Sequence, residues 1–308
     1  MKKLGVGSGL AALITAHFIW GINIPVNKLA LETLPPATFA FFKLILAAGL
    51  LALPAYSVWK KMDFKSVIRV VIGGSMTLVA EILFLYAGLK QSSGISAALI
   101  YAFGPILLFV ISIVFLHEPF KKRVAIGLPI AFLGAMLVIF EPVISGAGGG
   151  VATSFVGNLF FLISMMCSVI GILIYKPVLV KYHPLQVTFL TIAVASIIMS
   201  LFAGLEADRW AIKDVAQEAW IAVLYGGFIV LSVAFYLYFE GLRRTATIDL
   251  SLVKYLTTIG AIIGSILLLG ESLNLITVVG GLLILFGIVV GETKKSPWMR
   301  YFAHNARH

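Results

Sequence analysis

The chain has 308 residues, of which 61% are hydrophobic and 12% charged, against roughly one half and one quarter in soluble domains. With a mean hydropathy of +1.07 it reads as a polytopic membrane protein, and a soluble globule is excluded. The net charge of +10 would suggest nucleic acid in a soluble chain, but here the basic residues fall in short loops between apolar runs, so they read as topology signals and no nucleic-acid partner is expected.

A membrane span needs about 20 apolar residues. Ten runs qualify, near 8–28, 36–57, 67–89, 93–116, 122–141, 154–176, 184–204, 218–239, 246–269 and 273–292. The first follows Lys2 and Lys3 and continues past Trp20 without a clear small-residue cleavage site, so it reads as a retained helix. At about 100° per residue, His17, Trp20, Asn23, Ile24 and Asn27 share one face of it. The second span holds Lys43. In the third, Gly74, Thr77, Glu81 and Gly88 share a narrow face. Gly94, Tyr101, Pro105 and Ser112 do so in the fourth, and Ser251, Lys254, Thr258 and Ser265 in the ninth. The only cysteine, Cys167, lies inside the sixth run, so no intrachain disulfide and no cysteine-based metal site is possible.

The loops set an orientation. With the N-terminus inside, inner segments hold 17 Lys and Arg and outer segments hold four, Lys28, Lys90, Arg209 and Lys213. That excess places both termini in the cytoplasm.

The sequence also repeats itself. A shift of 153 positions lays 85–140 on the segment from Tyr238 onward without a gap. Glu118 meets Glu271, and Gly88, Gly127 and Gly134 meet Gly241, Gly280 and Gly287. Tyr101 falls on Lys254, Pro105 on Thr258 and Ser112 on Ser265. Repeat mates five spans apart run in opposite directions, so the chain is expected to form two inverted halves of five helices each, residues 1–147 and 148–308.

Ionisable groups inside a membrane are costly and point to function. Lys43, Glu81 and Lys254 are the strongest candidates, because two Lys against one Glu leave a surplus positive charge that suits an anionic group on a solute. Glu81 has an alternative reading as an ion-pair partner of Lys43 or Lys254. His17 reads as a hydrogen-bonded bystander, and the small residues on these faces read equally well as close-packing positions. Glu118 and Glu271 stand at helix junctions, where a carboxylate caps the following helix. The sequence contains no phosphate-binding glycine loop, no His-Glu-x-x-His and no Gly-x-Ser-x-Gly. No metal or other cofactor is expected.

These residues resemble the drug/metabolite transporter superfamily, in its ten-helix EamA branch. Phe18-Ile19-Trp20-Gly21-Ile22-Asn23-Ile24-Pro25 followed by Lys28 is similar to the family's opening. Pro36 with Phe42-Lys43-Leu44 is similar to its second-helix pattern, with Lys43 where Arg is usual. Tyr86-Ala87-Gly88-Leu89, then Ser96 to Tyr101 and Pro105, resembles the third-to-fourth helix signature, and Leu116-His117-Glu118 and Leu269-Gly270-Glu271 resemble its Leu-Gly-Glu. Thr258 departs from the family's proline, and Lys254 is atypical there.

The resemblance implies a secondary transporter of the inner membrane, an exporter of small organic metabolites such as amino acids or drugs, working by alternating access through a central cavity. Trp20, Asn23, Asn27, Lys43, Glu81, Tyr101, Lys254 and Thr258 are the expected cavity residues. The expected partners are an anionic or zwitterionic small molecule, the lipid bilayer and protons as coupling ion; the oligomeric state is left open. The alternatives are an antiporter or importer of phosphorylated or nucleotide-linked metabolites and, from another class, an intramembrane lipid-modifying enzyme.

Overall fold

The computed structural model describes residues 6–104, 107, 122–146, 151–238 and 251–291. Pro105, Ser112, Glu118, Glu240 and Asp249 lie outside the described residues, as does the side chain of Lys254. The described residues are helical, without strands.

In chain order the helices are α1 (Val6–Ala30), α2 (Pro36–Ser57), α3 (Phe64–Leu89), α4 (Gly94–Ala102), α5 (Lys122–Ser145), α6 (Val151–Lys181), α7 (Pro184–Gly204), α8 (Gln217–Tyr238), α9 (Ser251–Leu269) and α10 (Leu275–Gly291). Six of them, α2, α3 and α5 to α8, contain stretches long and apolar enough to cross a membrane, and α9 and α10 hold shorter apolar stretches. Large side chains such as Leu53, Leu201, Leu267 and Leu282 stand well exposed along these helices. Such a belt suits lipid rather than water.

Local sequence sets the helix ends. Pro36 and Pro184 open α2 and α7 in the first turn, where a missing N–H costs nothing. The Asp63, Ser93 and Asn274 side chains accept from the N–H groups of Ser66, Ser96 and Thr277 and so cap α3, α4 and α10. Gly270, at φ 64°, follows the end of α9 in the left-handed conformation that glycine adopts freely.

The longest packing seams are α5 on α10, α1 on α9 and α2 on α7. Between α5 and α10 the backbones nearly touch. A Cβ on Gly134 would fall 2.5 Å from the Gly280 carbonyl oxygen, and one on Gly287 would fall 2.6 Å from that of Gly127. These are the glycines matched by the 153-residue shift, and they meet reciprocally. Their role is close helix approach, as small residues serve in membrane bundles.

Two helices contain a wide turn with π-type hydrogen bonding, Met76–Ala80 in α3 and Tyr225–Ala234 in α8. Each wide turn follows or contains a glycine pair, Gly73-Gly74 or Gly226-Gly227, and these pairs are also 153 positions apart. The extra residue in the α3 turn rotates the C-terminal part of that helix about its axis. The narrow face expected from 100° steps is therefore broken. Gly74 meets Thr191 of α7, whereas Gly88 meets Phe161 of α6.

At one rim α1, α3, α7 and α9 end and α2, α4, α8 and α10 begin, and several of these ends are joined by hydrogen bonds across the sequence. Glu206 accepts from the Ala37 and Thr38 N–H groups and the Thr38 hydroxyl, capping α2. Thr33 Oγ1 accepts from the Ala216 N–H, just before α8. Glu271 accepts from the N–H groups of Gly94 and Ile95 at 2.8 and 3.0 Å. This corrects the expected local cap: Asn274 caps the following helix, and Glu271 caps α4 instead.

Candidate functional site

α1, α2 and α3 bring one charged side chain into the interior. Lys43 is buried, at 5% exposure. Its ammonium donates to Asn27 Oδ1 at 2.8 Å and to Tyr86 Oη at 3.1 Å, with Asn23 Oδ1 3.5 Å away. It also lies 4.8 Å from the centroid of the Phe39 ring. All of these partners are neutral. Asn23 and Asn27 reach it because they sit four residues apart on one face of α1, as the helical period requires. The ion pairs among the described residues are Lys28–Glu271 and Lys181–Asp63, so Lys43 and Glu81 do not pair.

Glu81 belongs to a second cluster, between α3, α4 and α6. Tyr101 Oη stands 3.4 Å from Glu81 Oε1 and 2.6 Å from Ser164 Oγ. Ser164 donates to the Glu81 main-chain carbonyl at 2.6 Å, and Ser168 lies beside the Glu81 carboxyl. The neighbours are hydroxyls rather than cations. α3 thus carries a member of each cluster, Tyr86 toward Lys43 and Glu81 toward Tyr101.

A third group is aromatic. Trp20 makes edge and tilted contacts with His17, Phe235 and Tyr238, at centroid distances of 5.1 to 5.3 Å. His17 Nδ1 is 2.9 Å from Thr257 Oγ1, which joins α1 to α9. This agrees with the reading of His17 as a hydrogen-bonded residue. Thr258 is buried, at 6% exposure, beside the residue that contacts His17. Tyr236, farther along α8, is 58% exposed on its outer surface.

The residues expected to form one cavity therefore divide. Asn23, Asn27 and Lys43 come together; Glu81 joins Tyr101 in a separate cluster; and Trp20 belongs to the aromatic group. Sequence reasoning missed Ser164, Ser168, Thr257 and Gly226. Ser164 and Ser168 carried a weak signal, two hydroxyls one turn apart within an apolar run. Gly226 carried none until its repeat mate in Gly73-Gly74 was recognised.

At the opposite rim, Asp63 caps α3 and accepts from Lys181 and Tyr182. The Lys181 ammonium, then the Tyr182 hydroxyl, then Ser66 hold its carboxyl well below the usual carboxylate range. Asp63 in turn pushes the Lys181 ammonium up. The Gln186 side chain pairs with both the N–H and the carbonyl of Lys60.

A solved protein has the same fold: its crystal structure matches 92% of this chain and 98% of its own at a TM-score of 0.60 and 18% identity. In sequence, the chain is similar to an uncharacterized transporter, YetK, of Bacillus subtilis (strain 168), with 23% identity over 96% of this chain and 88% of that one. An uncharacterized transporter of Archaeoglobus fulgidus is 25% identical over 96% of this chain and 100% of its own. A chloroplastic WAT1-related protein of Arabidopsis thaliana is 23% identical over 90% and 67%. The model of the EamA-like transporter family matches residues 7–140 and again 155–291. The buried polar clusters thus lie in a transporter scaffold rather than an enzyme's, and the chain belongs to the EamA-like transporter family.

Proposed function

We propose that this transporter is a secondary carrier that exports a small organic solute with an anionic group, by alternating access through a polar site at Lys43. The observation that carries the reading is the Lys43 ammonium itself. It is buried among neutral acceptors, with no carboxylate against it among the described residues. Burying an ion without a counter-charge costs several kcal/mol. A solute carboxylate in place of Asn27 or Asn23 would supply that counter-charge. One described cation suits a carboxylate better than a phosphate, which favours amino acids and organic acids over phosphorylated metabolites. Lys254 is a second anion contact in this reading, and Trp20, Asn23, Asn27, Tyr101 and Thr258 line the path.

Ten membrane helices in two inverted halves, 1–147 and 148–308, form the moving parts. The reciprocal glycine contacts of α5 and α10 support this, since exchange of 127 with 280 and of 134 with 287 turns one contact into the other. The paired wide turns of α3 and α8 support it too. The 17-to-4 basic excess supports an inner-membrane protein with both termini in the cytoplasm. Lys28, Lys90, Arg209 and Lys213 would then face outward. Glu81, ringed by hydroxyls, is the group we assign to proton exchange during coupling.

A ligand of the folded state raises the unfolding temperature. Purified protein is expected to be stabilised more by an acid than by its amide, with butyrate set against butyramide and benzoate against benzamide, and Lys43→Met is expected to remove the difference. Equal shifts in both proteins would count against the reading.

A further inference from the structure

Gly226 lies where α8 crosses the Lys43 side chain. A Cβ on Gly226 would fall 2.0 Å from Lys43 Cε, 2.7 Å from Cδ and 2.8 Å from Nζ. All three are far inside the 3.5–4.0 Å of a relaxed carbon contact. The lysine stem therefore lies flat on bare backbone, and with that space open the ammonium reaches Asn27 and Tyr86. The conformation of Gly226 does not ask for glycine: positive φ angles occur at Gly146 and Gly270 and not here. Glycine is a poor helix former, so local preference disfavours it inside α8. The neighbouring side chain explains what the backbone does not.

The repeat supplies an internal comparison. α2 and α7 both open on proline, and the eighth residue of each is Lys43 or Thr191. The glycine pairs beside them, Gly73-Gly74 and Gly226-Gly227, are 153 positions apart, although the glycine that meets Thr191 is the mate of Gly227, one place from the mate of Gly226. A Cβ on Gly74 would fall 2.8 Å from Thr191 Cγ2, as one on Gly226 would strike Lys43. Thr191 donates its hydroxyl to the Val187 carbonyl at 2.8 Å, within its own helix. The eighth positions of α2 and α7 thus hold one cation and one satisfied hydroxyl, each against a helical glycine.

We infer that Gly226 is the positioning residue that holds the Lys43 ammonium in the site and thereby sets the preference for acids over neutral solutes. This rests on Lys43 as the anion contact.

The test uses full-length protein in detergent: wild type, Gly226→Ala, Lys43→Ala, the double variant, and Gly74→Ala as control. Thermal midpoints and the acid-over-amide ratio for butyrate and butyramide, and for benzoate and benzamide, are read for each. Gly226→Ala is expected to lower the midpoint and to cut the acid preference at least tenfold. In the Lys43→Ala background the same substitution is expected to leave the midpoint unchanged or raise it. Gly74→Ala is expected to lower the midpoint while leaving the acid preference within twofold of wild type. An equal fall of the midpoint in both backgrounds overturns the inference, and so does a Gly226→Ala protein with wild-type acid preference. If wild type shows no acid preference, or Lys43→Ala retains it, the anion reading of Lys43 fails and with it the specificity role. The midpoint cycle then still decides whether Gly226 holds the lysine.

Discussion

Lys43 and Asp63 illustrate how one charged side chain differs from another by its surroundings. Lys43 is buried with neutral partners, and Met can fill the same space without the desolvation cost. Lys43→Met is therefore expected to change stability by no more than about 2 kcal/mol, because a lost ammonium is offset against acceptors left unpaired. Its effect on acid binding is expected to be at least tenfold, or about 1.4 kcal/mol. Denaturation and binding measured on one preparation separate the two. Asp63 is exposed, and its carboxyl lies below the usual range because Lys181, Tyr182 and Ser66 hydrogen-bond it. Its stabilisation is complete above the unfolded carboxylate value of about 3.9 and is lost as pH falls below it. Lys181 is shifted upward, so its share holds below about 10.4 and fades at higher pH. The midpoint difference between wild type and Asp63→Asn is thus expected to be flat between these limits and to close in acid. A difference as large at pH 3 as at pH 7 would contradict the assignment.

Helix ends are joined to distant parts of the chain. Glu271 reaches across the molecule to cap α4 and holds Lys28 at 2.7 Å. Glu271→Ala is expected to destabilise by about 1–2 kcal/mol, the usual cost of a lost cap. Lys28→Ala is expected to cost less, since the half-buried Lys28 keeps partial contact with water, which weakens its pair with Glu271, and its loss leaves the cap in place. Equal losses from both variants would show that the ion pair, not the cap, is the main contribution. This element also shows where the sequence stops being readable. Periodicity located the apolar runs, and the Glu and Gly matches exposed the duplication, because both signals are local or register-bound. The partner of Glu271 was not legible, since nothing in Leu-Gly-Glu says which N-terminus lies near it. The wide turns were equally hidden. They depend on hydrogen-bond register, and they broke the expected face of α3. Lys43 was legible as a buried cation, but Tyr86 and Gly226, which define its setting, are neighbours only after folding.

As a whole the molecule is a bundle whose close seams are glycine-lined and whose rims are stitched by carboxylates and amides. The rim that joins Lys28, Glu206 and Glu271 is hydrogen-bonded between early and late helices. In the alternating-access reading this conformation is closed at that rim. A single cysteine introduced at Lys90 or Lys213, in a Cys167→Ala background, is expected to react with an impermeant thiol reagent added outside cells. One introduced at Lys60 is expected to react only after the membrane is opened. The reverse pattern would invert the proposed orientation.

Solute flux tests the central claim most directly. Liposomes containing the purified protein would be loaded with a defined mixture of amino acids, organic acids and their amides, and the retained solutes measured by mass spectrometry. At least one carboxylate is expected to leave wild-type vesicles chemically unchanged and faster than its amide, and to be retained by vesicles carrying Lys43→Met. Equal loss from both proteins, or loss of amides alone, would contradict the account.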